Sequence, residues 1–298
     1  MSKQNGIWLL GDRGMLGRQI ASELQKKGFL FSASDREVDI SDFKALQVFS
    51  QGKNISWIIN CAAYTAVDRA EIESETALRI NAAGVENLAK LAAGLGARLV
   101  HFSTDYVFAG DRQELYRESD PPRPLSQYGW SKWQGELRLT AHCDAYFLFR
   151  ISWLYGVYGP NFVHTMLRFF REKETVRVVN DQFGSPTYAA ALAANIADLI
   201  RSNSNRYGIY HYCDGGVISW FDFAARIMDL ALASGLITKK IPLQAIPTSE
   251  LPNQARRPLH AVLDNGKVVR ELGFQVHDWQ LNLEDFFREK TQLEESRP

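Results

Sequence analysis

Short apolar segments alternate with longer amphipathic segments along the first half of the chain. The short segments are typical of strands, and the longer ones carry apolar residues at helical spacing. Strands are predicted at residues 7–10, 30–33, 57–60, 98–103 and 146–151, and helices at about 15–27, 43–50 and 73–95. The strands are continuously apolar, so helices should cover both faces of the sheet. This α/β pattern predicts a Rossmann-type, doubly wound parallel sheet built from right-handed βαβ units.

The pattern changes after residue 150, where proline, aromatic and loop-forming residues cluster. We interpret residues 151–186 and 236–298 as a smaller C-terminal lobe that binds the substrate. Residues 1–150 form the main domain, and a segment of about 187–235 returns to it with a late strand at 208–212. No flexible linker separates the lobes, so we expect a cleft between them.

The composition limits the class of partner and the compartment. A chain of 298 residues with 46% hydrophobic residues can bury a large core. The 34 basic residues equal the 34 acidic residues, which excludes the basic excess of a nucleic-acid or anionic-membrane binder. The apolar run near the start is too short for a signal peptide or a membrane span, so we expect a cytoplasmic protein with a small-molecule partner.

Cysteine and histidine spacing gives no sign of a metal site or a disulfide framework. Cys61, Cys143 and Cys213 are far apart in sequence, and the six histidines show no ligand-type spacing. The sequence therefore predicts no catalytic metal.

Three glycines follow the first strand and open the first helix with the spacing GxxGxxG. Glycines at such a turn let the backbone approach a pyrophosphate, which binds the free N–H groups and the positive end of the helix dipole. The position directly after a strand predicts a dinucleotide site. The turn contributes Gly11, Asp12, Arg13, Gly14, Met15, Leu16 and Gly17.

The end of the second strand bears on the choice of cofactor. Asp35 could bind a ribose 2′-hydroxyl, whereas Arg36 could bind a 2′-phosphate. Arg13 offers the phosphate a second cation, which favours NADPH and leaves NADH open. Further lining of the dinucleotide site is predicted from Asp39, Ile40, Ala62, Ala63, Tyr64 and Thr65.

Tyr128 and Lys132 form a YxxxK motif inside a helical stretch that begins near residue 126. The spacing of four places both side chains on one helix face, where the ammonium is expected to lower the phenol pKa from about 10. Such a phenol can donate a proton to a carbonyl oxygen while hydride reaches the carbon. Thr104 follows the fourth strand and can orient the substrate oxygen.

Six sequence blocks resemble the dTDP-4-dehydrorhamnose reductases, a family of extended short-chain dehydrogenases/reductases. The blocks are NCAAYTAVD at 60–68, STDYVFAG at 103–110, YGWSK at 128–132, RISWLYG at 150–156, DQFGSPT at 181–187, and Arg-Pro at 257–258 with Leu-Asp at 263–264. The resemblance implies NAD(P)H-dependent reduction of the C4 ketone of dTDP-4-dehydro-L-rhamnose to dTDP-L-rhamnose. The chain departs from the family pattern at 211–216 and 258–261, which bears on the fine choice of substrate.

The resemblance also implies roles for individual residues. Tyr128 would donate the proton, and Lys132 would contact the cofactor ribose and tune the phenol. Thr104, Asp105 and Trp153 would contact the sugar together with Tyr128, and Asn81 would support the inner helix near the site. For the dTDP group, Arg256, Arg257 and the aromatic residues of 155–162 are candidates.

Other interpretations stay open at this level. An epimerase or another nucleotide-sugar reductase would use the same fold, and a non-catalytic NADP-binding regulatory subunit, like that of methionine adenosyltransferase, resembles the family. A dehydratase is disfavoured because Tyr106 stands where a glutamate is needed. Some family members bind Mg²⁺ through an acidic dimer contact, but no acidic cluster here indicates it, and a homodimer stays open.

Overall fold

The computed structural model describes residues 6–252 and 255–295 and has a parallel six-stranded sheet at its centre. The strands are β1 (Gly6–Leu10), β2 (Phe31–Ser34), β3 (Ile55–Asn60), β4 (Arg98–Thr104), β5 (Tyr146–Ile151), β6 (Leu154–Tyr155), β7 (Val176–Val179), β8 (Phe183–Gly184), β9 (Thr187–Tyr188), β10 (Gly208–Tyr212), β11 (Ile218–Ser219) and β12 (Leu243–Ile246). The helices are α1 (Met15–Lys26), α2 (Phe43–Ser50), α3 (Ser74–Leu78), α4 (Val85–Leu95), α5 (Gln127–His142), α6 (Phe162–Glu172), α7 (Ala189–Ser202), α8 (Trp220–Ala233), α9 (Gly266–Leu272) and α10 (Trp279–Glu295).

The strand order of the main sheet is β10-β5-β4-β3-β1-β2, and all neighbours are parallel. The chain leaves β1 for β2 on one side and then crosses to β3 on the other side. Such a reversal opens a crevice at the carboxyl ends of the strands, where ligands of open α/β sheets bind. The predicted Rossmann-type fold is confirmed.

Helices cover both faces of this sheet because neighbouring strand residues point in opposite directions. Ile7 and Leu9 pack in one core with apolar residues of α1 and α7. Trp8 and Leu10 pack in another core on the opposite face, with α2, α4 and α5. The continuously apolar strands of the sequence are therefore explained by burial on both sides.

A separate core lies among α6, α8 and α10. Its buried members include Met166, Phe223 and Phe286, and β7 borders it with Val176 and Val178. The predicted returning segment of about 187–235 spans both cores, because α7 and β10 complete the main domain whereas α8 packs into this separate core. The division of the chain into two lobes stays a prediction.

The segment predicted as a helix at 73–95 is helical over residues 74–95 but changes its helix type along the way. It consists of α3, a π-helical segment Arg79–Gly84 and α4. Gly84 lies against the side chain of Ile40, and a Cβ on this glycine would come within 2.6 Å of Ile40 Cγ1. The wider turn thus lies beside a predicted cofactor residue, and π-helical turns are frequent at functional sites.

Two properties of the described residues bear on the class of protein. None of the helices within 6–252 and 255–295 is both long and apolar enough to cross a membrane. The same part of the chain holds no cluster of three or more histidine, cysteine or acidic side chains arranged to bind a metal ion.

Candidate active site

The glycine turn after β1 forms a cradle that a side chain would fill. Gly11 has φ of +73°, and a Cβ there would lie 2.7 Å from the Ala62 nitrogen. A Cβ on Gly17 would lie 2.0 Å from the Gly11 carbonyl oxygen. Gly14 precedes α1 and has no side chain to cap it, so the first N–H groups of the helix remain available to phosphate oxygens. These residues fit a bound pyrophosphate.

A cavity of about 820 Å³ opens at this turn, along the carboxyl ends of β1, β2 and β3. Among the residues that we predict to bind the cofactor, its lining includes Gly11, Arg13, Gly14, Asp35, Arg36, Asp39, Ile40, Ala62, Ala63, Tyr64 and Thr65. The lining does not include Asp12, Met15, Leu16, Gly17, Tyr128 or Lys132. Leu16 packs in the core behind the turn, so only its backbone could face a cofactor.

Charged side chains surround one end of the cavity. The Asp39 carboxylate accepts hydrogen bonds from the Ser41 backbone and side chain at 2.8 Å and pairs with Arg79 at 3.2 Å. Arg13 lies 3.7 Å from Glu37, which also accepts a hydrogen bond from the Asp35 backbone nitrogen. Arg36 lines the cavity as a further cation. The lining of the cavity therefore holds three arginines together with the acidic residues Asp35 and Asp39.

Asn81 holds the backbone of Tyr64, a residue that lines the cavity. Its side chain accepts from the Tyr64 nitrogen at 2.8 Å and donates to the Tyr64 carbonyl oxygen at 3.0 Å. It also donates to Ser131 Oγ on α5 at 3.0 Å. Asn81 lies in the π-helical segment and is 1% exposed, so it connects the cofactor wall to the helix that carries the YxxxK motif.

Thr104, Asp105 and Tyr128 come together at the end of β4. Thr104 is the last residue of β4, and its hydroxyl donates to Asp105 Oδ1 at 3.1 Å. Tyr128 lies in the first turn of α5, which Ser126 caps by accepting from the Gly129 nitrogen. The Tyr128 ring packs edge-on against Tyr106 and shares an apolar cluster with Tyr64. Tyr64 therefore lines the cavity and also packs in the same cluster as Tyr128.

The pKa of Tyr128 is raised above its ordinary value, mainly by burial, while hydrogen bonding to Thr104 lowers it and the Asp105 charge raises it. The expectation that the Lys132 ammonium lowers this pKa is wrong for the described structure, because the Lys132 Nζ donates to the Phe102 carbonyl oxygen at 2.6 Å. A raised pKa keeps the phenol protonated at neutral pH.

Lys132 and Asp105 are both buried, with 2% and 3% of their surface exposed. Burial lowers the pKa of the Lys132 ammonium to about 8, and the Glu136 carboxylate opposes this shift. Burial raises the pKa of Asp105 to about 7, which hydrogen bonds from Thr104 and from the backbone oppose. Perturbed titratable groups beside a cleft are typical of active sites.

Trp153 follows β5 in a backbone conformation that is uncommon for residues other than glycine, with φ of 44°. Its ring stacks on Trp220 with a centroid distance of 3.6 Å and an interplanar angle of 12°. Gly184 leaves room for this ring, since a Cβ there would lie 2.6 Å from it. The half-buried indole is thus held rigidly between two segments of the C-terminal half.

The two candidate arginines for the dTDP group differ in environment. Arg257 pairs with Asp68 at 3.1 Å, and the same carboxylate accepts from the Ala255 nitrogen at 3.1 Å. Arg256 is exposed. The contacts with Asp68 therefore hold residues 255–257 in place, and the Arg257 guanidinium is already paired with a carboxylate.

Several cavity residues were not predicted from the sequence. The lining also contains Val38, Cys61, Ala66, Arg79 and Ile80. Arg79 and Ile80 begin the π-helical segment, which a uniform helical pattern does not reveal. Cys61 directly follows β3 and precedes Ala62 and Ala63, which were predicted to line the cofactor site. Its position between the strand and these residues could have indicated that it lines the cavity.

Comparison with known proteins agrees with this geometry. Residues 5–292 match a family model described as the RmlD substrate binding domain. A dTDP-4-dehydrorhamnose reductase of Shigella flexneri is 38% identical to this chain, over 95% of this chain and 97% of the relative.

Solved structures extend the likeness to three dimensions. The dTDP-4-dehydrorhamnose reductase of Bacillus anthracis, solved in complex with NADP, has a TM-score of 0.90 and 40% identity, covering 96% of this chain and 99% of that one. The Clostridium acetobutylicum structure of the same name has a TM-score of 0.89 and 35% identity, covering 95% and 99%. The chain therefore belongs to the dTDP-4-dehydrorhamnose reductase family.

Proposed function

We propose that this protein catalyses the NADPH-dependent reduction of the C4 ketone of dTDP-4-dehydro-L-rhamnose to dTDP-L-rhamnose, in dTDP-rhamnose biosynthesis. The observation that carries the proposal is the buried Tyr128, which hydrogen-bonds to Thr104 at the carboxyl end of β4 and packs in one cluster with Tyr64 of the cavity wall. The test is an absorbance assay at the nicotinamide band with this ketosugar. Loss of NADPH equimolar with product is expected, and an unchanged NADPH concentration would contradict the proposal.

The residues of the chain divide the work of a ketone reduction. Bound NADPH supplies a hydride to the carbonyl carbon. Thr104 orients the carbonyl oxygen through its hydroxyl, and the Tyr128 phenol donates the proton that this oxygen needs as it becomes an alcohol. Lys132 lies four residues after Tyr128 on α5 and is assigned to the ribose of the cofactor. Asp105 offers a further polar group to the sugar.

Preference for NADPH over NADH is assigned to Arg36 with Arg13, which both line the cavity. Replacing Arg36 by alanine should lower kcat/KM for NADPH about 10-fold or more, because a hydrogen-bonded charge is lost. NADH has no 2′-phosphate, so its kcat/KM should change little and provides an internal control. Steady-state kinetics with both cofactors measures the ratio. Equal losses for both cofactors would contradict this assignment.

The sugar ring is assigned to the face of Trp153. Replacing Trp153 by alanine should raise KM for the ketosugar about 10-fold, since an aromatic contact surface is removed, while KM for NADPH stays unchanged. A matched control is Trp130→Ala, because Trp130 is 42% exposed on α5. Unchanged KM for the ketosugar in the Trp153 variant would contradict the assignment.

We place the protein in the cytoplasm. Its three cysteines, Cys61, Cys143 and Cys213, are free thiols, and a reducing compartment keeps thiols in this state.

A further inference from the structure

A buried charged network lies directly beneath the catalytic residues. Ser103, Arg150 and His211 are aligned on the neighbouring strands β4, β5 and β10, since Arg150 is in register with both of the others. Glu136 reaches this row from α5, one helical turn after Lys132. Glu136 and Arg150 each expose only 3% of their side chains.

The Glu136 carboxylate is saturated with donors. Arg150 Nε donates to its two oxygens at 3.0 and 3.2 Å, and Arg150 Nη2 donates to Oε2 at 2.7 Å. Ser103 Oγ donates to Oε1 of the same group. The Arg150 guanidinium also lies over the Phe108 ring, 5.1 Å from its centroid, and its Nη1 is 3.4 Å from His211 Nε2. The carboxylate is therefore held in one orientation.

A contribution to the stability of the fold is a weak explanation for the buried Glu136–Arg150 ion pair. Replacing a buried ion pair by apolar residues of similar volume is often neutral or stabilising, because desolvation of the two charges offsets their attraction. The network is close in sequence to two residues of the candidate site. Ser103 directly precedes Thr104, and Glu136 follows Lys132 by one turn on the same helix. Its location points to a role in the site.

Lys132 is the group that needs this carboxylate. Its ammonium is buried and donates to the Phe102 carbonyl oxygen. From β4, His101 faces it, and burial together with the Lys132 charge lowers the pKa of His101, so this imidazole is neutral. Glu136 is the acidic group that raises the pKa of Lys132. Arg150 contacts both Glu136 and His211. Tyr128 lies one helical turn before Lys132 on α5, and Asp105 directly follows β4.

We propose that Glu136, oriented by Arg150 and Ser103, is a positioning residue for the reduction that acts on Lys132, one helical turn earlier on the same face of α5. This inference rests on the proposed function. Glu136 acts through Lys132 rather than on the substrate, while Arg150 fixes the orientation of the Glu136 carboxylate.

The test is the pH dependence of kcat in Glu136→Gln, an isosteric variant that removes the negative charge. Activity needs the protonated Lys132, so the rate falls on the alkaline side as this group loses its proton. Without Glu136 the ammonium is less stable and deprotonates at lower pH. The alkaline limb should therefore move down by about one pH unit, with kcat at pH 8 reduced about 5-fold. Glu136→Asp, which retains the charge, should leave the limb nearer to its wild-type position.

A matched control is Glu86→Gln. Glu86 also binds an arginine of α5, Arg138, at 3.0 Å, but on another part of the helix. This variant should keep the wild-type limb. If Glu136→Gln does not fold, Ser103→Ala decides, because it removes one donor to Glu136 without changing charge and should lower kcat several-fold.

The outcomes separate this inference from the proposed function. If the folded Glu136→Gln variant has a lower kcat but the same alkaline limb as the wild type, the role of Glu136 is only structural. That result would overturn the positioning role. Wild-type kcat in the decisive variant, Glu136→Gln or Ser103→Ala, would overturn it as well. Failure of the wild-type protein to oxidise NADPH with the ketosugar would instead refute the proposed function.

Discussion

Replacing Tyr128 by phenylalanine should lower kcat about 100-fold or more, because the variant lacks the acid that protonates the carbonyl oxygen. The ring remains, so the packing against Tyr106 and Tyr64 should persist. NADPH binding should stay close to wild type. Single-turnover rates of NADPH oxidation with saturating ketosugar measure the effect directly.

The control for this prediction is Tyr212→Phe. Tyr212 is fully buried in the main domain and its hydroxyl accepts from Asn195 at 3.2 Å, so this variant also loses a buried phenol hydroxyl. It should lose some stability and keep its turnover. Wild-type turnover in Tyr128→Phe would show that another group donates the proton.

Introducing a methyl group at Gly17 should abolish tight NADPH binding. The new Cβ would lie 2.0 Å from the Gly11 carbonyl oxygen and 2.8 Å from Asp12 Cα, and backbone atoms cannot move aside as a flexible side chain can. Overpacking of this kind costs about 1–3 kcal/mol of stability. The turn must shift to relieve the contact, so Kd for NADPH should rise at least about 10-fold, as measured by quenching of tryptophan fluorescence.

Gly94 provides the matched control. It also lies inside a helix, α4, but a Cβ there would meet no atom within 4 Å. Gly94→Ala should leave NADPH binding unchanged and raise the stability by up to about 1 kcal/mol, because alanine favours the helix. Equal Kd values for the two variants and the wild type would show that the turn does not hold the pyrophosphate.

Much of the fold could be predicted because its signals are local. The apolar segments and the helical spacing between them give the βαβ order, and parallel strands bring their carboxyl ends to one edge of the sheet. The glycine turn, Thr104 and the Tyr128 motif could therefore be placed at one edge before any coordinates. Element boundaries were less precise, because β4 extends one residue further than predicted and includes Thr104.

The parts that could not be predicted depend on contacts between residues far apart in sequence. The Trp153–Trp220 stack joins residues from different segments of the C-terminal half. The contact of Arg257 with Asp68 joins residues that are 189 positions apart in sequence. Helical or strand periodicity carries no information about such pairs.

The Glu136–Arg150 pair left a signal that was not used. Arg150 is a charged residue inside an otherwise apolar strand, β5, and such a residue is rarely buried without a partner. Glu136 lies four residues after Lys132 and so shares its helix face. The pKa of Tyr128 was predicted in the wrong direction, because the YxxxK spacing shows the shared face but not the depth of burial, which is its largest cause.

The most direct test of the account follows the hydride. The protein is supplied with dTDP-4-dehydro-L-rhamnose and NADPH that carries deuterium at the transferred position, and the sugar product is analysed by mass spectrometry and NMR. We predict one deuterium at C4 of dTDP-L-rhamnose for each NADPH oxidised. An isomerised sugar without deuterium, together with unchanged NADPH, would contradict the reductase assignment and indicate an epimerase.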